Sequence, residues 1–198
     1  MAYLTTQDAR DAFARSQRGR PIRKSASQVL NESAAVSPPP NTVFDVFLSH
    51  CLKDAELVAG AKAYLEENGL SVYVDWIVDP QMDRTRVTPE TANTLRRRMR
   101  ASQSMIFATS DNSSESRWMP WELGYFDGFR HGRVAIMPLV ASAASSFSGQ
   151  EYLGLYPLVE KLPAKSGGER AYVTKGASSS QYLPMNDFKS GVTAFRSR

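Results

Sequence analysis

The chain has 198 residues, 42% of them hydrophobic and 22% charged, the composition of a globular protein rather than a disordered one. A single cysteine, Cys51, and two histidines, His50 and His131, exclude an intramolecular disulfide and a thiolate zinc cluster, so no metal centre is expected. The net charge of +4 sits at the two ends: residues 41–140 carry eleven Lys/Arg against thirteen Asp/Glu, which argues against a nucleic-acid partner.

In chain order, Thr6 to Arg15 has helix-forming composition with a thin apolar side, and Gly19 and Pro21 stop it. Ser37-Pro38-Pro39-Pro40-Asn41 cannot be helix and reads as an extended joint. Residues 1–40 are therefore expected to form a partly helical N-terminal appendage, with oligomerisation one use for it, and residues 41–198 the main domain. Phe44 to His50 is β-rich and mostly apolar, like a strand buried on both faces. Asp54 is an expected N-cap, Leu57, Val58, Ala61, Tyr64 and Leu65 follow at helical spacing, and Asn68-Gly69 supplies the stop. Leu70 to Trp76 is the second strand. Thr88 caps a further helix with proline at its first position, and Arg96-Arg97-Arg98 on it reads as a solvated face.

Ser104 to Thr109 makes a third strand, a helix is expected from about Arg117 to His131, and Val134 to Leu139 is a fourth strand. Beyond it, Arg170 to Thr174 is the candidate fifth strand and Asn186 to Phe195 the candidate last helix. Alternating strands and helices predict an α/β fold, flavodoxin-like, with a central parallel five-stranded sheet flanked by helices. Val134 to Ala144, the longest weakly polar run, is too short to span a bilayer, and Met1 to Arg10 lack a signal-peptide core. A cytoplasmic protein without a membrane segment is the expectation.

Such sheets bind ligands beyond the carboxyl ends of their strands. That rule points to Ser49, His50 and Cys51, to Asp75 and Trp76, and to the loop from Thr109 to Ser116. If Ser113 to Gly124 is helical, Ser114, Trp118 and Glu122 stand at steps of four and share one face. An aromatic and a carboxylate near a helix N-terminus would suit a nucleotide-sugar site. The plain alternative puts Trp118 in the core and Glu122 in solvent, and the same alternative of core packing holds for Trp76. Cys51 has no obvious activating base.

Three motifs carry a resemblance. Phe44-Asp45-Val46-Phe47-Leu48-Ser49-His50 with Lys53-Asp54, then Val72-Tyr73-Val74-Asp75, then Ser114-x-Ser116-x-Trp118-x-x-x-Glu122-Leu123 follow one another as in the Toll/interleukin-1 receptor-like (TIR) family. The resemblance covers roughly residues 43–160. It implies that Glu122 is the catalytic residue of an NAD⁺ glycohydrolase or cyclase and that Trp118 lines the pocket. Ser49 and His50 would contact the nucleotide, and Asp75 and Trp76 would border the crevice.

One carboxylate suffices for such chemistry. Nicotinamide leaves NAD⁺ as a neutral molecule, whereas ordinary glycosidases need a second carboxylate to protonate a leaving oxygen. NAD⁺ is then a substrate, and no resident cofactor is implied. The chain resembles small stand-alone TIR proteins of bacterial antiphage systems such as Thoeris. There an ADP-ribose-derived signal activates a separate effector, and self-association through TIR–TIR contacts is common. The alternative is a TIR adaptor, or an effector acting on host signalling, that works by binding alone. The loop Ile77 to Thr88 departs from the family pattern in having no glycine.

Overall fold

The computed structural model describes residues 2–35, 41–74, 88–143, 145–147, 149–164, 167–176 and 179–198. The strand β1 is Leu4–Thr5, and the helices α1 (Thr6–Ser16) and α2 (Ala26–Ala35) follow it. Next come β2 (Phe44–Ser49), α3 (Ala55–Glu67), β3 (Val72–Val74), α4 (Pro89–Arg100) and β4 (Ser102–Thr109). After these lie α5 (Met119–Phe129), β5 (Val134–Val140) and β6 (Leu158–Pro163). The chain ends with β7 (Glu169–Thr174), β8 (Gln181–Pro184), α6 (Met185–Lys189) and β9 (Arg196–Ser197).

The sheet runs in the order β3-β2-β4-β5-β6-β7-β8-β9. Its first five strands pair in parallel, the arrangement expected of a flavodoxin-like domain. The pairings from β6 through β9 are antiparallel. The fifth parallel strand is therefore β6 and not the segment from Arg170, which forms antiparallel β7. Leu158-Val159-Glu160-Lys161-Leu162-Pro163 hides its strand character behind two charges, and Glu160 is nonetheless buried. The expected last helix is only α6, because Gly191 takes up a φ of 85° that ends it.

Alternation along the central strands builds a core on each face of the sheet. Val46 and Leu48 of β2, Ile106 of β4, and Ala135 and Met137 of β5 pack with α3 and α1. Phe47, Met105, Phe107, Val134 and Ile136 point the other way and pack with Leu95 and Met99 of α4 and Leu123 and Phe126 of α5. Burying a side chain such as Phe47 contributes roughly 2–3 kcal/mol. Ser49 lies two residues after Phe47 and so faces the same side, toward α5.

The N-terminal segment is built into the same fold. Leu4 and Thr5 pair in parallel with Leu139 and Val140 of β5, and Ala2 bridges to Lys161. Thr5 and Asp8 form a capping box: the Asp8 N–H donates to Thr5 Oγ1 at 3.0 Å, and the Thr5 N–H donates to Asp8 Oδ2 at 2.8 Å. The thin apolar side of α1, Ala9 and Ala12, is completely buried against α3. Two small side chains suffice because Gly60 of α3 lets the backbones touch: a Cβ there would lie 2.2 Å from the Ala9 carbonyl oxygen. Arg10–Glu56 and Arg15–Glu67 ion pairs, at 2.9 and 2.8 Å, flank the contact. The proline run before Asn41 lies outside the described residues.

Candidate active site

The Ser49 hydroxyl, at the carboxyl end of β2, donates to Glu122 Oε2 at 2.6 Å. Ser49 is 1% and Glu122 2% exposed, so the bond is shielded from water. Glu122 occupies the first turn of α5, where its N–H donates to the Trp118 carbonyl at 2.8 Å. A carboxylate there also gains from the positive end of the helix dipole, by roughly 0.3–1 kcal/mol. The helix starts at Met119 because Pro120 fits only in a first turn, where its missing N–H costs nothing. The Met119 N–H donates to Ser116 Oγ at 3.3 Å.

That starting point corrects the expected shared face. Ser113–Glu115 is a separate 3-10 turn, and Ser116 is extended with φ −80° and ψ 121°. Ser114 is therefore not one turn before Trp118. It lines a different cavity of about 440 Å³ at the ends of β4 and β5, with Ser110, Ser113, Asp111 and Phe147. Trp118 and Glu122 remain one turn apart; Trp118 packs as the plain alternative had it, and Glu122 departs from that alternative. Trp118 is 6% exposed and belongs to the core beneath α5, whereas Glu122 is buried rather than solvated.

His50 is also buried, and its Nδ1–H donates to the Leu48 carbonyl at 2.9 Å. Asp75 and Trp76 lie outside the described residues, as does the glycine-free loop up to residue 87. Burial pushes the Cys51 thiol above its usual range, helped by the Asp54 and Glu115 charges, against the N–H of Lys53. This thiol is not activated.

Asp54 stands at the start of α3, but its carboxylate does not cap that helix. It accepts instead from Asn112 Nδ2 at 2.6 Å and from the Ser110 hydroxyl. The loop after β4 is thereby tied to the loop after β2. No local signal in the sequence from Thr109 to Ser116 distinguished this cross-loop partner.

The arginine run is not a simple solvated face. The Arg96 guanidinium lies 5.3 Å from the Trp121 ring centroid and 5.7 Å from that of Tyr125, and Arg98 lies over Tyr73 at 5.4 Å. Trp121 stacks on Tyr125 and meets Trp118 edge-on at 5.4 Å. Two cavities meet at Trp118 and Arg117. One, about 540 Å³, is lined by Arg96 and Trp121 on the α4 side, and the other, about 450 Å³, by Cys51, Lys53 and Glu115. Glu122 is not among the described residues that line either cavity. Sequence reasoning passed over Arg117; its position directly before Trp118 was the available signal.

Among the described residues no three His, Cys, Asp or Glu side chains cluster as a metal site, and no helix is long and apolar enough to cross a membrane.

A protein of Bacillus cereus (strain MSX-D12) named probable 3' cyclic ADP-D-ribose synthase ThsB' is 51% identical to this chain over 137 residues, which are 69% of this chain and 70% of that protein. A putative cyclic ADP-D-ribose synthase TIR2 of Cytobacillus dafuensis is 34% identical over 84 residues, 42% of this chain and 22% of that much longer protein. The TIR domain profile matches residues 46–158. That span begins in β2, ends at the start of β6 and contains both Ser49 and Glu122; the chain belongs to the TIR domain family.

Proposed function

We propose that the protein cleaves the nicotinamide–ribose bond of NAD⁺ and closes the remaining ADP-ribose into a cyclic product. The observation that carries this reading is the buried Glu122 carboxylate, held by Ser49 one turn from Trp118. The setting supports it, a TIR domain whose similar proteins are named cyclic ADP-D-ribose synthases.

As the C–N bond breaks, its electron pair leaves with nicotinamide and positive charge develops on the ribose. The Glu122 carboxylate stabilises that charge and binds the ribose hydroxyls. Ring closure then needs a hydroxyl of the same ADP-ribose to attack C1 of the cationic ribose and lose its proton. The name of the Bacillus relative points to the 3' oxygen as that nucleophile. Water in its place yields linear ADP-ribose. Trp118 packs beside the reacting ribose and limits water, and His50 contacts the nucleotide. The cyclic product serves as a signal to a separate effector in bacterial defence. The protein works in the cytoplasm and self-associates through TIR–TIR contacts.

The test is purified protein with NAD⁺, chromatography with mass detection, and the Glu122→Gln variant in parallel. Nicotinamide release with a product of cyclic ADP-ribose mass, both lost in the variant, is the expected result. Release undiminished by Glu122→Gln refutes the assignment of Glu122. No release at high protein concentration refutes the enzyme reading for the isolated chain.

A further inference from the structure

The cavity between α4 and α5 carries positive charge that nothing among the described residues of its wall offsets. Arg96 and Arg117 both line it, together with Trp118, Trp121, Thr88 and Ala92, and no carboxylate among the described residues does. Arg117 is exposed and has no hydrogen-bond or ion-pair partner among the described residues. Arg96 uses one nitrogen, Nη1, on Asn93 Oδ1 at 3.0 Å, and its remaining N–H donors have no acceptor among the described residues. The face of its guanidinium is held by Trp121 and Tyr125, so its orientation is set before any ligand arrives.

The neighbouring cavities differ in kind. Across Trp118, the Lys53 ammonium is already paired with Glu115. The serine-rich cavity at Ser114 has no cation in its wall and contains Asp111, so it would repel a phosphate. Two unneutralised guanidiniums beside two indoles suit a ligand with two negative charges next to an aromatic base.

We propose that Arg117 and Arg96 form the subsite for the diphosphate of an adenine dinucleotide, with the indoles of Trp118 and Trp121 as the apolar wall beside it. This rests on the reading that NAD⁺ is the substrate. It adds that the adenylyl half lies on the α4 side of Trp118, with the diphosphate bridging past Arg117. Binding energy far from the scissile bond would then hold the nicotinamide ribose in place. These arginines touch no reacting atom and set affinity and selectivity.

The experiment pairs calorimetric titration of ADP-ribose with NAD⁺ kinetics, on the wild type and on Arg117→Gln, Arg117→Lys, Arg96→Gln and Arg96→Lys. Adenosine is the phosphate-free control. Loss of a charge-assisted bond to phosphate is expected to weaken ADP-ribose binding about ten-fold or more in Arg117→Gln. The KM for NAD⁺ should rise by a similar factor while kcat stays within about three-fold, and Arg117→Lys should recover part of the loss. Adenosine binding should be unaffected.

Because Arg96 also packs on two rings, Arg96→Lys keeps the charge where Arg96→Gln fails to fold, and Arg117 decides the matter alone if both fail. ADP-ribose affinity within two-fold of wild type in Arg117→Gln overturns the subsite. A fall in kcat with affinity unchanged overturns it too. A wild type that binds ADP-ribose through these arginines but releases no nicotinamide keeps the subsite and refutes the NAD⁺-cleavage reading instead.

Discussion

Ser49 and Glu122 are 73 positions apart in the chain and share a buried hydrogen bond of 2.6 Å. The two-residue period of β2 places Ser49 on the side of Phe47, and the start of α5 at Met119 turns Glu122 back toward the sheet. The serine is thus a donor to the carboxylate and not merely a lining group at the end of a strand.

Ser49→Ala removes that donor and should affect both stability and rate. Leaving a buried carboxylate oxygen without its partner costs about 1–3 kcal/mol. Without that bond the Glu122 carboxylate is no longer held in place, so kcat for NAD⁺ should fall about ten-fold or more. Ser49→Thr, which keeps a hydroxyl, should stay close to wild type. A kcat within about two-fold of wild type for Ser49→Ala would show that the bond does not position Glu122.

Asp54 offers a second check on the site's framework. Its carboxylate ties Ser110 and Asn112 to the start of α3. Asp54→Ala releases both, and the loop after β4 should then exchange its amide hydrogens faster, from residue 110 to residue 116. The expected stability loss is about 1–3 kcal/mol, since two donors lose a charged acceptor. Unchanged exchange in that loop would mean that the serines hold it by themselves. Asp54→Asn should restore part of the protection.

The parallel framework and the motif positions were legible in the sequence, because both depend on local rules. Phe44 to Ser49 reads as a strand buried on two faces, Thr88-Pro89 reads as a helix start, and both are so in the structure. What was not legible depends on pairings between distant segments. The Ser114 face failed because an extended Ser116 and Pro120 delay the helix, a boundary effect that spacing alone does not see. β6 was missed because a buried Glu160 and a paired Lys161 interrupt its apolar pattern. The Arg96 stack was missed because its partners lie on α5, and helix periodicity carries no information about a neighbouring helix.

The close approach of α1 to α3 was likewise hidden, since nothing in Thr6 to Arg15 says that Gly60 will receive it. Gly60→Ala should therefore destabilise the protein although it raises helix propensity. The propensity gain is about 1 kcal/mol. Against it, the new Cβ would sit 2.2 Å from a backbone oxygen, which cannot rotate away as a side chain can. Overpacking of this kind typically costs about 1–3 kcal/mol, so α1 must shift outward. The thermal midpoint should fall, and residues 6–16 should lose hydrogen-exchange protection before the rest. A midpoint that rises would show that α1 does not rest on α3 in solution.

Acid sensitivity follows from two carboxylates that fasten the ends of the chain to the sheet. For Asp45, burial alone would raise the pKa. The Lys189 ammonium at 2.8 Å, together with the Ser71 N–H and hydroxyl, outweighs it and holds the carboxyl below its ordinary value. Asp8 is held down in the same way, against its own burial, by Lys161 at 2.8 Å and Thr5. A depressed folded pKa means that the unfolded chain takes up the proton first. The stabilisation is therefore complete well above the unfolded carboxylate value, near 3.9, and is lost as the pH falls through the folded values below it. Chemical denaturation should show a midpoint that is flat near neutrality and drops below about pH 4.5. In Asp45→Asn the drop should be shallower and the neutral-pH midpoint lower, because the Lys189 tie to α6 is gone. An unaltered slope in that variant would assign the acid sensitivity to other carboxylates.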